Sequence, residues 1–151
     1  MRRLVAETQV SVNDLIAPLF VREDISEPQP IVSLPGVMQH SQESLRAEVK
    51  ELAQLGIPGI VLFGLPNRKD ATGSEAWNPD RVVQVALRNL RDDHGDSIVS
   101  IADLCVDEYT DHGHCGVLTP QGYVDNDATL ELYQKVALAQ ADAGADMVAP
   151  S

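Results

Sequence analysis

Leu55-Gly56-Ile57-Pro58-Gly59-Ile60-Val61-Leu62-Phe63-Gly64 joins the end of a helix to the start of a strand. On its left, Leu45, Val49, Leu52 and Ala53 recur at helical spacing behind Ser41, whose hydroxyl can cap the first turn. Gly56 suits the left-handed residue that closes a helix, and Pro58 forbids continuation. On its right, Ile60 to Phe63 are apolar at every position rather than at alternate ones. A strand that is apolar on both faces belongs in a parallel sheet covered by other structure.

The same pattern repeats outward. Leu15-Ile16-Ala17-Pro18-Leu19-Phe20-Val21 reads as a short buried strand, with Pro18 its weak point. A loop with Pro28, Pro30, Pro35 and Gly36 follows it. Beyond the central stretch, a polar loop from Leu65 to Trp77 leads to a second helix, expected to start with Asn78 as cap and Pro79 at the first helical position. Val83, Ala86, Leu87 and Leu90 form its apolar stripe, and Asp92, Asp93 and Gly95 end it. Ile98 to Leu104 is the third strand. Asp125 or Asn126 caps a third helix running to about Ala143, and Gly144 hands the chain to a fourth strand beginning at Ala145.

The predicted order is β-α-β-α-β-α-β over residues 15–151, with residues 1–14 as a polar arm ahead of it. Strands alternating with helices make a parallel sheet with right-handed crossovers, an α/β fold. Two architectures satisfy that order, a doubly wound sheet and a (β/α)8 barrel. No Gly-x-Gly-x-x-Gly follows the first strand, which weakens the dinucleotide-binding version. The long loops after the second and third strands suit a barrel, whose active face is built from such loops. A whole barrel needs about 250 residues. The expectation for 151 residues is therefore the N-terminal half of a (β/α)8 TIM barrel, truncated after the fourth strand.

Composition narrows the partners. A net charge of -12 with only 11 basic residues, none clustered, excludes a nucleic-acid surface. Glu7 interrupts the N-terminus before any apolar leader forms, and the run from Leu15 to Val21 is too short to span a bilayer. A cytoplasmic protein without membrane contact is expected. In a reducing compartment Cys105 and Cys115 are free thiols or metal ligands rather than a disulfide.

The chemistry concentrates in Asp103-Leu104-Cys105-Val106-Asp107-Glu108-Tyr109-Thr110-Asp111-His112-Gly113-His114-Cys115-Gly116. If the chain stays extended as it leaves the third strand, Asp103, Cys105 and Asp107 share one face, and Leu104 and Val106 share the other. Cys115 can return after Gly113 to join the first group. Two thiolates and a carboxylate make a three-ligand site with an open fourth position, as in catalytic zinc centres. The carboxylate makes the set harder than three thiolates, so magnesium becomes thinkable beside zinc. Spacing alone leaves a second reading open, a buried thiol beside a solvated acidic loop. His112 and His114 are open between ligand and structural roles. Trp77 reads as a packing residue; His40 and His94, flanking helices, read as exposed.

The run from Asp103 to Gly116 resembles the metal-loop signature of the porphobilinogen synthases (5-aminolevulinate dehydratases), D-x-C-x-C-x-x-T-x-H-G-H-C-G in zinc-dependent members. Leu15 to Val21, Leu34-Pro35-Gly36-Val37, Leu62-Phe63-Gly64 and Ala149-Pro150-Ser151 are also similar to that family's N-terminal half. The resemblance implies a homo-oligomeric barrel, commonly octameric, whose N-terminal arm embraces a neighbour. It implies condensation of two 5-aminolevulinate molecules, with loss of water, to porphobilinogen in tetrapyrrole and heme synthesis. Two lysines form Schiff bases with substrate in that family, and a metal helps hold and polarise the second molecule.

Carried over by position, Cys105 and Cys115 match metal thiolates, and Asp107 stands where zinc-dependent members place another thiolate. Asp103 matches an active-site aspartate, and Ser151 a serine bordering the site. The imine-forming lysines match nothing here: Lys50 and Lys135 lie on helices, Lys69 reads as a loop charge, and the family places its pair beyond Ser151. The chain as given is therefore expected to be inactive alone. The competing functional class is a truncated paralogue that binds metal or joins oligomers without catalysis.

Overall fold

A computed structural model describes residues 1–151. Its strands are β1 (Ile16–Arg22), β2 (Gln29–Pro30), β3 (Met38–His40), β4 (Gly59–Leu65), β5 (Val99–Leu104) and β6 (Met147–Pro150). The helices are α1 (Gln42–Gln54), α2 (Val82–His94) and α3 (Asn126–Asp142). Ser41 caps α1 by accepting the Ser44 amide at 3.2 Å, and Asp125 caps α3 by accepting the Ala128 amide at 3.1 Å. Gly56 and Gly144 follow α1 and α3 at φ 82° and 100°, which gives both helix-to-strand joints their left-handed residue.

The sheet runs β2-β3-β1-β4-β5-β6, and β1, β4, β5 and β6 pair in parallel in their order along the chain. Register shows where the helices lie. Leu19 pairs with Leu62, Ile60 with Ser100 and Leu62 with Ala102, and these side chains share the face that meets the helices. Leu45 and Val49 of α1 and Val83, Ala86, Leu87 and Leu90 of α2 complete that core. Each fully buried Leu or Val there contributes about 1.5–3 kcal/mol. The opposite face carries Pro18, Phe20, Val61, Phe63, Ile101 and Asp103, and no helix covers it. Phe20 and Phe63, cross-strand neighbours, stack at 5.1 Å.

The chain-order run β1-β4-β5-β6, with α1, α2 and α3 all on one face, settles the choice between architectures. A doubly wound sheet reverses its strand order and places helices on both faces. A barrel winds one way and keeps its second face for the interior. The molecule has the second arrangement.

Three expectations are corrected. The loop after β1 holds two short strands: β3 pairs in parallel with β1 through Phe20–Gln39 and Val21–His40, and β2 pairs antiparallel with β3. Two- and three-residue strands carry no periodic signal, and Pro28, Pro30 and Pro35 mask them. The second helix starts at Val82, not Pro79. Asn78 Oδ1 accepts the Asp80 amide at 3.1 Å and its carbonyl accepts the Arg81 amide at 3.2 Å, closing a turn first. Asn-Pro serves a turn as well as a helix start, so the signal was ambiguous. Finally, His40 is buried rather than exposed, because β3 tucks it against α1 near the Ser44 hydroxyl. No helix is long and apolar enough to cross a membrane.

Candidate active site and metal centre

Asp103 and Ser151 meet because β5 and β6 are neighbours. Asp103 pairs with Ala149, so the residue just past β6 reaches the same rim, and the Ser151 hydroxyl donates to Asp103 Oδ1 at 2.9 Å. Burial raises the Asp103 carboxyl above its ordinary range, and the hydrogen bond from Ser151 opposes part of that shift.

Past β5 the chain stays extended only as far as Val106. Leu104 and Val106 enter a second apolar cluster with Ala76, Tyr109, Leu132 and Val136, as alternation along a strand requires. The amides of Tyr109 and Thr110 then both donate to the Val106 carbonyl, at 2.9 and 2.8 Å, so the chain turns at Asp107 instead of running on. The turn nevertheless leaves Asp107 beside Cys105, and the chain brings Cys115 back to both. One ligand atom from each of Cys105, Asp107 and Cys115 lies within 4.8 Å of the others.

Neighbouring segments hold this loop in place. The Asp70 amide donates to the Tyr109 carbonyl at 3.3 Å, and the Asp111 amide donates to the Asp70 carbonyl at 3.1 Å. Asp70 organises its own loop by accepting the Thr72 and Ser74 amides at 2.9 and 3.0 Å. The Ser74 hydroxyl also bonds it, and these donors hold its carboxyl well below the usual carboxylate range. Thr110, fully buried, donates its hydroxyl to the His114 carbonyl at 2.9 Å. Tyr133, on α3, donates to the Cys115 carbonyl at 3.0 Å.

The histidines stay out of the cluster. His112 Nε2 lies 3.2 Å from the Ala71 carbonyl, and its Nδ1 accepts the His114 amide at 3.1 Å. One neutral tautomer satisfies both contacts, with the hydrogen on Nε2. Lys50, Lys69 and Lys135 are all exposed. Lys135 lies 5.9 Å from the Trp77 ring centre, and Trp77 packs on the second apolar cluster as expected.

Electrostatics here are dominated by burial. It pushes the Cys105 thiol up to about 12 and the Glu108 carboxyl up to about 8. Asp107 moves the other way, first because the Glu108 side chain bonds it. Glu108 escaped sequence reasoning, since one acidic residue among four looks solvated until its burial is known.

The family model for Delta-aminolevulinic acid dehydratase matches residues 1–151. The chain belongs to that family. The dehydratase of Streptomyces coelicolor is 54% identical over 153 residues, covering 100% of this chain and 46% of its own length. That of Mycobacterium leprae is 52% identical with the same coverage. Among solved structures, the delta-aminolevulinic acid dehydratase (porphobilinogen synthase) of Toxoplasma gondii, in complex with the reaction product porphobilinogen, superposes with a TM-score of 0.94. It is 38% identical and covers 99% of this chain and 43% of that one. The chain spans about half the length of the curated relatives it matches. Its parallel run β1-β4-β5-β6 is the first half of a (β/α)8 barrel.

As a dehydratase-family chain it has a donor set that fits a metal ion. Sulfur ligands at about 2.3 Å around a tetrahedral zinc stand roughly 3.7 Å apart. The 4.8 Å cluster is therefore within small side-chain adjustments of that geometry. The two residues that sequence reasoning missed and that touch this segment from α3 are Tyr133 and Gln140; the latter donates its amide to the Asp103 carbonyl at 2.7 Å.

Proposed function

We propose that this chain builds the metal-binding side of a 5-aminolevulinate dehydratase site, which condenses two 5-aminolevulinate molecules to porphobilinogen with loss of water. One observation carries the reading: the Asp103–Ser151 pair and the Cys105–Asp107–Cys115 cluster sit together where β5 and β6 end. Barrel enzymes assemble their chemistry at that end of the strands. The product-bound relative from Toxoplasma gondii supports the substrate class.

In this reading Cys105, Asp107 and Cys115 hold zinc, with magnesium the alternative admitted by the carboxylate. A metal bound there supplies Lewis acidity toward a substrate oxygen. Asp103 exchanges a proton with substrate or orients its amine, and Ser151 fixes the carboxylate at Oδ1. The imine-forming lysines come from the half of the barrel that follows residue 151, and the assembled enzyme is a cytoplasmic homo-oligomer, an octamer, in which residues 1–14 form an arm. The 151-residue stretch by itself is expected to form no porphobilinogen, which an assay of the purified stretch checks.

Full-length protein reduced with borohydride in the presence of radiolabelled 5-aminolevulinate is expected to retain covalent label and, untreated, to form porphobilinogen. Neither label nor product would overturn the assignment. Metal uptake adds a pH signature. Cys105 is a neutral thiol at pH 7, so binding releases its proton, and apparent zinc affinity is expected to rise with pH between 6 and 8.

A further inference from the structure

We infer that His112 is a positioning residue: it latches the Cys115 limb of the metal loop to the loop after β4, and so sets where the Cys115 sulfur sits. The inference rests on the metal-site reading above.

The three ligand residues are not held alike. Cys105 is 4% exposed and follows directly on β5, and Asp107 sits in the turn closed at the Val106 carbonyl. Cys115 is exposed, at the end of a limb from Asp111 to Cys115 in which only His112 is partly buried. Packing and the turn fix the first two ligands. Hydrogen bonds must fix the third.

Those bonds gather on the peptide groups beside Cys115. The His114 carbonyl accepts the Thr110 hydroxyl at 2.9 Å, and the His114 amide donates to His112 Nδ1 at 3.1 Å. The other ring nitrogen of His112, Nε2, gives its hydrogen to the Ala71 carbonyl, 3.2 Å away. One neutral ring makes both contacts, as acceptor in the first and donor in the second. The Asp111 amide, given to the Asp70 carbonyl at 3.1 Å, ties the start of the limb to the same upstream loop, and the Tyr133 hydroxyl holds the Cys115 carbonyl. Within the limb, His112 is the one side chain that bonds another segment.

Ala71 is a firm anchor. Asp70 pins its loop by accepting the Thr72 and Ser74 amides at 2.9 and 3.0 Å. That loop also lies tight against the metal loop: a Cβ at Gly73 would stand 3.1 Å from the Tyr109 Cβ and 3.4 Å from side-chain atoms of Thr110 and Val106. A latch to this platform removes freedom that the limb would otherwise lose when metal binds. Outer partners that hold a ligand in place are worth about 10- to 100-fold in metal affinity. His112 acts one peptide away from its ligand, at the lower end of that range.

The two contacts of the ring can be separated. The bond to the His114 amide is local, two residues on, and an asparagine side chain makes it as readily. The bond to Ala71 needs the longer imidazole. H112N therefore keeps the turn and loses the latch, whereas H112A loses both.

The test compares full-length parent, H112N and H112A. Zinc affinity is measured by chelator competition, and cobalt(II) in place of zinc gives a sulfur-to-metal charge-transfer band that responds to the position of the Cys115 sulfur. Both variants are expected to bind zinc about tenfold more weakly than the parent, to shift the cobalt band, and to melt with the parent when metal-free. H112N that matches the parent in affinity and band overturns the inference and leaves His112 a turn residue. So does a lower metal-free melting temperature in both variants, which would make the loss a general loosening. A parent that binds neither zinc nor cobalt removes the metal-site reading itself, and that outcome is distinct from the other two.

Discussion

In full-length dehydratase, D103N is expected to form porphobilinogen about a hundred- to ten-thousand-fold more slowly than its parent, the usual cost of losing a positioned acid–base group. The substitution is nearly isosteric. An amide oxygen still accepts the Ser151 hydroxyl that now reaches Oδ1 at 2.9 Å, so the β5–β6 rim keeps its geometry. What disappears is a carboxyl able to take up and release a proton, with its affinity for that proton raised by burial. Because Asp103 stands outside the Cys105–Asp107–Cys115 cluster, zinc content is expected to match the parent. Steady-state turnover and metal analysis on the same preparation check both halves. Turnover within about threefold of the parent would return Asp103 to a structural role.

G64A is expected to destabilise the protein by about 3 kcal/mol, the upper end of ordinary overpacking. Gly64 lies on β4 opposite Val21, facing the helix layer. A Cβ there would overlap the Tyr109 hydroxyl, come within 2.5 Å of a Val83 methyl and 3.1 Å of a Val82 methyl. None of these groups has room to retreat. Val82 and Val83 form the first turn of α2 at 3% and 2% exposure, and Tyr109 is 6% exposed within the second cluster. Displacing Tyr109 also moves the turn that places Asp107, so zinc affinity is expected to fall together with stability. Denaturant titration and chelator competition measure the two losses. A cost below about 1 kcal/mol with zinc affinity intact would show that the Tyr109 pocket is looser than its contacts imply.

The two substitutions mark how far local reading reaches. Helix α1 was legible from its Ser41 cap and closing Gly56, and α3 to within a residue at either end, since the sequence left its cap open between Asp125 and Asn126 and Gly144 closes it. The helical stripe of α2 was equally plain, but its start was not, since Asn78 and Pro79 serve a turn as readily as a cap. Strands β2 and β3 were invisible, being too short for alternation to register. At the site, the residue types and the alternation of Asp103, Leu104, Cys105 and Val106 were readable. The turn after Val106 was not, because its stability comes partly from Asp70, more than thirty residues upstream.

From its residues alone, this protein was committed to parallel strands alternating with helices and to a thiol- and carboxylate-bearing segment leaving β5. Those are local matters of periodicity, capping and side-chain chemistry. Tertiary structure decided that all helices share one face, that Cys115 folds back to Cys105 and Asp107, and that burial raises the carboxyls of Glu108 and Asp103. Each of these depends on packing between segments distant along the chain, where burial and proximity, rather than residue type, set the energy.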